Sequence, residues 1–149
     1  MNDKFRCHCP ITSALDILGD KWTLVIVKQM LIEGKQAFKD FSESDEAIAS
    51  NILSARLKML EEFKIITKDK LPHNKKANIY RLTDKGIALA PVIVELGVWS
   101  DAYMRDFHPE IIKGEHMEVI KNNKEAFIVS LQKNYEKEVS SEQSYPKLK

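Results

Sequence analysis

The feature that most constrains this fold is a pair of β-like runs set between helical segments. Residues 65–70 (IITKDK) and 78–83 (NIYRLT) flank the stretch LPHNKKA at 71–77, which carries Pro, Asn and two lysines. Two such runs joined by turn-forming residues predict a β-hairpin with a basic tip. Because helical patterns fill most of the remaining 149 residues, we expect a mainly α chain of the α+β class.

Four helical segments are predicted before the hairpin. The first begins at Pro10, since proline suits a first helical position, and its apolar residues recur at helical spacing through Leu18. The second, within residues 21–34, is apolar on most faces and is predicted to be buried. A short third helix is expected at 37–43. The fourth lies within 45–66 and has one apolar stripe, formed by Ile52, Leu53, Leu57, Leu60 and Phe63.

A long helix is predicted after the hairpin, capped by Thr83, running through residues 84–107 and ended by His108–Pro109. Pro91 lies inside this pattern and predicts a kink. The apolar stripe exceeds what a small domain can cover, so we expect a dimer interface at Leu89, Val92, Ile93, Leu96, Trp99 and Tyr103. Residues 108–149 are predicted to form a separate helical extension with a disordered end from about Ser140.

The order of helices, hairpin and long helix is that of a winged helix-turn-helix, which predicts binding to double-stranded DNA. Residues 50–81 contain eight cationic and three acidic side chains, a net charge of +5, although the whole chain carries only +1. A local basic patch of this kind suits contacts with phosphates, but a charge run alone can also be a solvated face. The predicted fold favours the first interpretation.

Helical geometry sorts the residues of the fourth helix. At 100° per residue, the apolar stripe occupies one arc, and Asn51, Ser54, Ala55 and Lys58 lie opposite it. These four residues are the candidates for reading bases, because Asn can pair with adenine and Ala can contact a thymine methyl group. Arg56 falls inside the apolar arc. We therefore expect a packed stem with a paired or snorkelled guanidinium rather than a base contact.

Three stretches in this order resemble the HxlR-type family of bacterial transcription regulators: residues 10–31 preceded by Cys9, residues 49–62, and residues 80–101. The resemblance covers roughly residues 7–107 and implies a dimeric winged-helix regulator, distantly similar to MarR-type proteins. It implies that the first and long helices form the dimer interface and that the helix from about Ser50 is the recognition helix. It also implies that residues 71–77 are the wing, adding His73, Asn74, Lys75 and Lys76 to the DNA-binding candidates.

The stretch CHCP at residues 7–10 contains both cysteines of the chain. A zinc site is not expected, because paired ligands usually have wider spacing and no second pair exists. A Cys7–Cys9 disulfide would close a small, strained ring. Either the thiols are inert, or Cys9 is activated as the N-cap of the first helix. Some HxlR-type regulators sense oxidants or electrophiles through a cysteine before this proline, which the resemblance extends to Cys9.

Enzymatic function is not expected, because the sequence has no Gly-rich phosphate loop, no H-E-x-x-H and no Ser-centred elbow. No cofactor or metal site is predicted. No apolar run reaches the length of a membrane span and no signal peptide is recognisable, so we expect a cytoplasmic protein with reduced thiols. We expect a DNA-binding regulator that responds to an unidentified small molecule or electrophile. The alternative is a winged-helix module for protein–protein assembly that does not bind DNA.

Overall fold

A computed structural model describes residues 5–71, 73–112 and 115–144. The described helices are α1 (Pro10–Leu18), α2 (Thr23–Leu31), α3 (Phe38–Ser42), α4 (Ser50–Glu62), α5 (Asp84–Ile87), α6 (Ala90–Tyr103), α7 (Glu115–Asn122) and α8 (Lys124–Ser144). One antiparallel hairpin, β1 (Ile66–Leu71) and β2 (Asn74–Leu82), lies between α4 and α5. The fold is therefore the predicted mainly helical winged helix with a two-stranded wing.

The core lies where α2, α4, the base of the hairpin and α6 meet. Ile26, Val27 and Met30 of α2 are fully buried, as are Leu53 and Leu60 of α4. The apolar character of α2 on most faces explains its central position, since α2 packs against β2, α6 and α8. The sequence prediction of a buried second helix is confirmed.

The hairpin differs from the sequence prediction at its tip. The predicted connecting loop covered residues 71–77, but β2 begins at Asn74, which pairs with Leu71 after an irregularity next to Lys70. The outer edge of β2 receives one further bridge, between Ala37 and Ile79. The strand extends into the basic tip because backbone pairing with β1 continues there, and side-chain composition gives no signal of that pairing.

The predicted single long helix is two helices. Thr83 Oγ1 accepts a hydrogen bond from Gly86 N at 3.3 Å and caps α5, as predicted, but α5 ends at Ile87. Pro91 lies in the first turn of α6 rather than at a kink inside a continuous helix. Proline has no N–H to donate to the carbonyl of Ile87 and is tolerated in a first turn. α6 ends at Tyr103, before the predicted end at His108.

The segment Asp84–Tyr103 is long and apolar enough, with a mean hydropathy of 1.2, to cross a membrane by length and composition alone. However, it is divided between α5 and α6, and one side of it packs into the core through Ile87, Ala90, Ile93 and Val94. A weakly apolar helix of this kind is not a convincing membrane span.

The C-terminal helices pack on the winged helix. Ile128 and Leu131 of α8 lie against the core, and Tyr135 is buried in it. α7 is fastened to α6 by an ion pair between Lys121 and Asp101 at 3.5 Å. α8 continues through Ser144, so the predicted disordered end does not begin at Ser140; residues 145–149 lie outside the described part.

Candidate nucleic-acid interface

α4 has one buried and one exposed face. Leu53, Leu57 and Leu60 are at most 2% exposed and anchor the helix in the core. The four predicted base-reading residues on the other side, Asn51, Ser54, Ala55 and Lys58, are all exposed, and so is Ser50 at the start of the helix. This surface combines amide, hydroxyl, methyl and ammonium groups, which are the groups that recognise base edges in a major groove.

Arg56 lies at the border of the two faces and is paired, as predicted. Its Nη1 is 3.7 Å from Oδ1 of Asp20, and about a third of its side chain is exposed. Partial burial opposes ionisation of Asp20, but hydrogen bonds from the Thr23 hydroxyl and from the backbone N–H groups of Trp22 and Thr23 outweigh it and lower the Asp20 pKa. Asp20 therefore caps α2 and also contacts α4.

The loop before α4 is held by a network that sequence reasoning missed. Glu46 accepts hydrogen bonds from Gln29 Nε2 at 2.8 Å and from Lys28 Nζ at 2.5 Å, both on α2. The Lys28 ammonium group lowers the pKa of Glu46. The partners are 17 and 18 residues apart in sequence. No local pattern could have paired them, although Gln29 stood out as a polar residue within an apolar helix.

The wing carries the second part of the basic surface. His73, Asn74 and Lys76 are exposed at its tip, whereas the side chain of Lys75 lies outside the described part of the structure. Two cations of the wing form ion pairs: Lys68 Nζ is 3.9 Å from Glu61 Oε1, and Arg81 Nη1 is 3.8 Å from Asp69 Oδ2. Among the described ion pairs, none engages Lys58, Lys64, Lys70 or Lys76. These cations remain available to phosphates.

Both α6 and α1 carry exposed apolar side chains. Leu96, Trp99 and Tyr103 are 50%, 56% and 67% exposed, and Val92 is also exposed. On α1, Ile11 and Leu15 are 72% and 51% exposed. Two residues of the predicted interface are less exposed: Ile93 is buried in the core, and Leu89, the N-cap of α6, is half-buried and packs against the core.

Cys9 occupies the N-cap of α1, as predicted. Its carbonyl accepts the first helical hydrogen bond, from Ser13 N at 2.8 Å, and its thiol is exposed. The thiol makes no full capping hydrogen bond, but the backbone N–H and hydroxyl of Thr12 and the N–H of Ile11 lie close enough to lower the Cys9 pKa. The arrangement favours a reactive thiolate.

The segment that carries both cysteines is folded back onto α1. Arg6 pairs with Asp16 at 2.5 Å, and the Ser13 hydroxyl donates to the carbonyl of Cys7 at 3.3 Å. Cys7 and Cys9 are both free and exposed thiols. Within residues 5–71, 73–112 and 115–144, no group of three or more His, Cys, Asp or Glu side chains is placed to hold a metal ion.

Comparison with known proteins identifies the family. The sequence model of the HxlR-like helix-turn-helix family matches residues 17–108, which include α2, α4, the wing and α6. This chain belongs to that family. It is therefore a transcriptional regulator of the HxlR type, as the resemblance implied.

Curated HxlR-type relatives carry regulatory names. The chain is 36% identical over 96 residues to the HTH-type transcriptional regulator YodB of Bacillus subtilis, covering 64% of this chain and 85% of YodB. It is also 36% identical over 97 residues to the HTH-type transcriptional regulator YvaP of B. subtilis, covering 64% of this chain and 89% of YvaP. These relatives are regulators and not enzymes, which suggests that this chain is not an enzyme.

Solved structures of HxlR-type proteins share the fold. PA1607, described as a putative transcription factor, matches with a TM-score of 0.63 and 35% identity over 73% of each chain. Reduced B. subtilis YodB matches with a TM-score of 0.54 and 35% identity, over 65% of this chain and 95% of that one. YodB has also been solved bound to quinone and after diamide treatment.

Proposed function

We propose that this HxlR-type chain is a sequence-specific DNA-binding regulator that reads an inverted-repeat operator as a homodimer. The observation that carries the proposal is the exposed polar face of α4, which lies in the recognition position of a winged helix and is followed by a basic hairpin. A helix of this kind fits the major groove, while the wing reaches the neighbouring backbone.

The two parts of the surface are assigned different roles. Asn51, Ser54, Ala55 and Lys58 face the base edges, and Ser50 lies at the start of the helix next to the backbone. At the wing, His73, Asn74, Lys75 and Lys76 meet phosphates, which position the protein without reading sequence. The lysines that form no ion pair among the described residues supply the salt-dependent part of the affinity, because each phosphate contact releases counterions.

The homodimer is proposed from the apolar surface of α6 and α1. Val92, Leu96, Trp99 and Tyr103 lie on one exposed face of α6, and Ile11 and Leu15 are exposed apolar side chains of α1. An apolar patch of this extent on one chain marks an interaction site. Self-association through a two-fold axis would place the two copies of α4 about 34 Å apart, in successive major grooves of one side of the duplex.

A thiol response through Cys9 is the second part of the proposal. The thiol is exposed, its pKa is lowered by the first turn of α1, and it adjoins the helix proposed for dimerisation. A covalent adduct with an electrophile such as a quinone, or a disulfide to Cys7 or Cys9 of a second copy, would alter how two α1 helices pack. The YodB structures with quinone and diamide support this assignment by analogy.

The remaining assignments follow from that function. We propose that residues 1–107 form the DNA-binding and dimerisation domain, with residues 108–149 as a helical extension. A regulator that acts on bacterial DNA works in the cytoplasm, where thiols stay reduced until an oxidant arrives. The partners are double-stranded DNA, a second copy of the chain, and an electrophile or other small-molecule effector.

The test is a fluorescence-anisotropy titration of the full chain against the duplex upstream of its own coding sequence. We expect tighter binding to this duplex than to a shuffled duplex of equal composition, with two chains bound per duplex in sedimentation. Equal affinity for the two duplexes would show that the chain binds DNA without sequence preference and would contradict the proposed sequence-specific function. No binding to either, with a folded protein, would favour the alternative of a winged-helix protein–protein module.

A further inference from the structure

The C-terminal helix α8 lies outside the residues that the family model matches, yet its side chains enter the base of the wing. Tyr135 is 8% exposed, and its hydroxyl accepts a hydrogen bond of 2.8 Å from the backbone N–H of Leu82. Leu82 is the last residue of β2 and pairs with Ile66, the first residue of β1. The contact is therefore made where the hairpin joins the domain.

The hydroxyl adds a hydrogen bond along the outer edge of the sheet. Along this edge of β2, Tyr80 N donates to the carbonyl of Gln36 at 2.7 Å, beside the bridge from Ala37 to Ile79. Two residues further along the strand, Leu82 N meets the Tyr135 hydroxyl instead. A buried N–H without a partner is costly, so the hydroxyl stabilises the end of β2 in this position.

A second side chain of α8 acts on the next junction. Gln132, one helical turn before Tyr135, donates from Nε2 to the carbonyl of Ile87 at 3.1 Å. In a continuous helix that carbonyl would accept from residue 91, but Pro91 has no N–H. Gln132 and Tyr135 thus hold backbone groups near the two ends of α5: the N–H of Leu82 at the end of the wing, and the carbonyl of Ile87, the last residue of α5.

We infer that Tyr135 is a positioning residue for the wing: its hydroxyl fixes the end of β2 so that the lysines at the tip meet DNA phosphates. The inference rests on the proposed DNA-binding function. A hairpin of two strands is marginally stable alone, and its direction depends on how its base is held. Removing the hydroxyl frees the base, and the tip lysines lose part of their contact with the backbone.

Tyr135→Phe tests the inference, because it removes the hydroxyl and keeps the buried ring. Hydrogen exchange by NMR should show the Leu82 amide exchanging about tenfold faster, as expected for one lost hydrogen bond. The Tyr80 amide is an internal control, since its acceptor is the carbonyl of Gln36. Unchanged exchange at Leu82 would overturn the inference, whether or not the protein binds DNA.

The second arm measures coupling between Tyr135 and the wing tip. Binding to a mixed-sequence duplex is titrated for wild type, Tyr135→Phe, a variant with both Lys75→Ala and Lys76→Ala, and the variant that combines all three changes. We expect Tyr135→Phe to weaken binding severalfold when the two lysines are present and to have little further effect once both are removed, which is the non-additivity expected when one residue acts through others. Additive losses, or no loss from Tyr135→Phe, would overturn the inference.

Leu131→Ala is the control variant, since it loosens the packing of α8 one turn from Tyr135 but keeps the hydroxyl. It should lower the melting temperature without coupling to the two lysines when binding is measured well below that temperature. The same coupling in Leu131→Ala would show that α8 packing in general is responsible and would overturn the role of Tyr135. If wild type binds no duplex, the proposed function itself fails. The amide exchange still tests the hydrogen bond from Leu82 to Tyr135, because it does not depend on DNA.

Discussion

At the scale of single residues, Arg56 and Lys58 on α4 have different environments: Arg56 is paired within the fold, and Lys58 faces solvent. Arg56 extends toward Asp20, the residue that caps α2, whereas Lys58 is exposed and has no ion pair among the described residues. The angular position of each residue on the helix could be read from the sequence. The partner of Arg56 could not, because Asp20 lies 36 residues earlier and is joined only by tertiary packing.

Arg56→Ala and Lys58→Ala are therefore expected to have opposite profiles. Arg56→Ala should lower the free energy of unfolding by about 1 kcal/mol through lost packing and a half-exposed ion pair. Lys58→Ala should leave unfolding within about 0.5 kcal/mol and weaken DNA binding. Urea unfolding and anisotropy on both variants check this. Unchanged stability with lost sequence preference in Arg56→Ala would contradict the assignment.

The reactivity of Cys9 is a second prediction at this scale. In Cys7→Ser, where Cys9 is the remaining cysteine, the alkylation rate should rise with pH to a midpoint below the ordinary value of 9.0, because the first turn of α1 stabilises the thiolate. Unfolding in urea should return the midpoint to its ordinary value. The same midpoint in folded and unfolded protein would contradict an activated thiol.

The sensing role needs a separate readout. Wild type, Cys7→Ser and Cys9→Ser are treated with diamide or a quinone, assayed for DNA binding and run on a non-reducing gel. We expect loss of Cys9 alone to abolish the response. Treated wild type that binds DNA as well as untreated protein would make both thiols structural.

At the scale of elements, the sequence predicted those that carry their own periodicity and caps. α1 begins at Pro10, α4 shows its apolar stripe, and Thr83 caps α5. The division of α5 from α6 was missed, although Pro91 was recognised. A proline predicts that a helix cannot continue normally. Whether the helix kinks or ends and restarts depends on which group donates to the carbonyl that the proline leaves without a partner. Here the donor is Nε2 of Gln132 on α8, and the acceptor is the carbonyl of Ile87.

The apolar surface of α6 gives the prediction for elements. Leu96→Glu should convert the proposed dimer to a folded monomer and weaken operator binding by more than tenfold, because burying an unpaired charge in an interface is costly. Val129→Glu is the matched control, since Val129 on α8 is 45% exposed, close to the 50% of Leu96. Sedimentation should show a dimer for the control. A monomeric wild type, or a dimeric Leu96→Glu, would contradict the interface.

At the scale of the whole molecule, we propose two functional units. The basic wing and the exposed polar face of α4 would bind DNA, and the exposed apolar side chains of α1 and α6 would form the dimer interface. The net charge of +1 concealed the first unit, and only the local count over residues 50–81 revealed it. The docking of α8 onto the core was not predicted. An apolar side on a helix indicates that the helix packs against something, but it does not identify the elements that it packs against.

In the proposed complex, α4 reads the base sequence while the wing binds the phosphate backbone. The most direct test of these two roles is the ratio of affinities for the upstream and shuffled duplexes, measured for wild type, Asn51→Ala and Lys76→Ala. Asn51→Ala should reduce this ratio by about 1–3 kcal/mol in free energy, as expected for loss of a good bidentate base contact. Lys76→Ala should weaken both complexes equally and flatten their salt dependence. An unchanged ratio in Asn51→Ala, or a ratio that falls only in Lys76→Ala, would contradict the account.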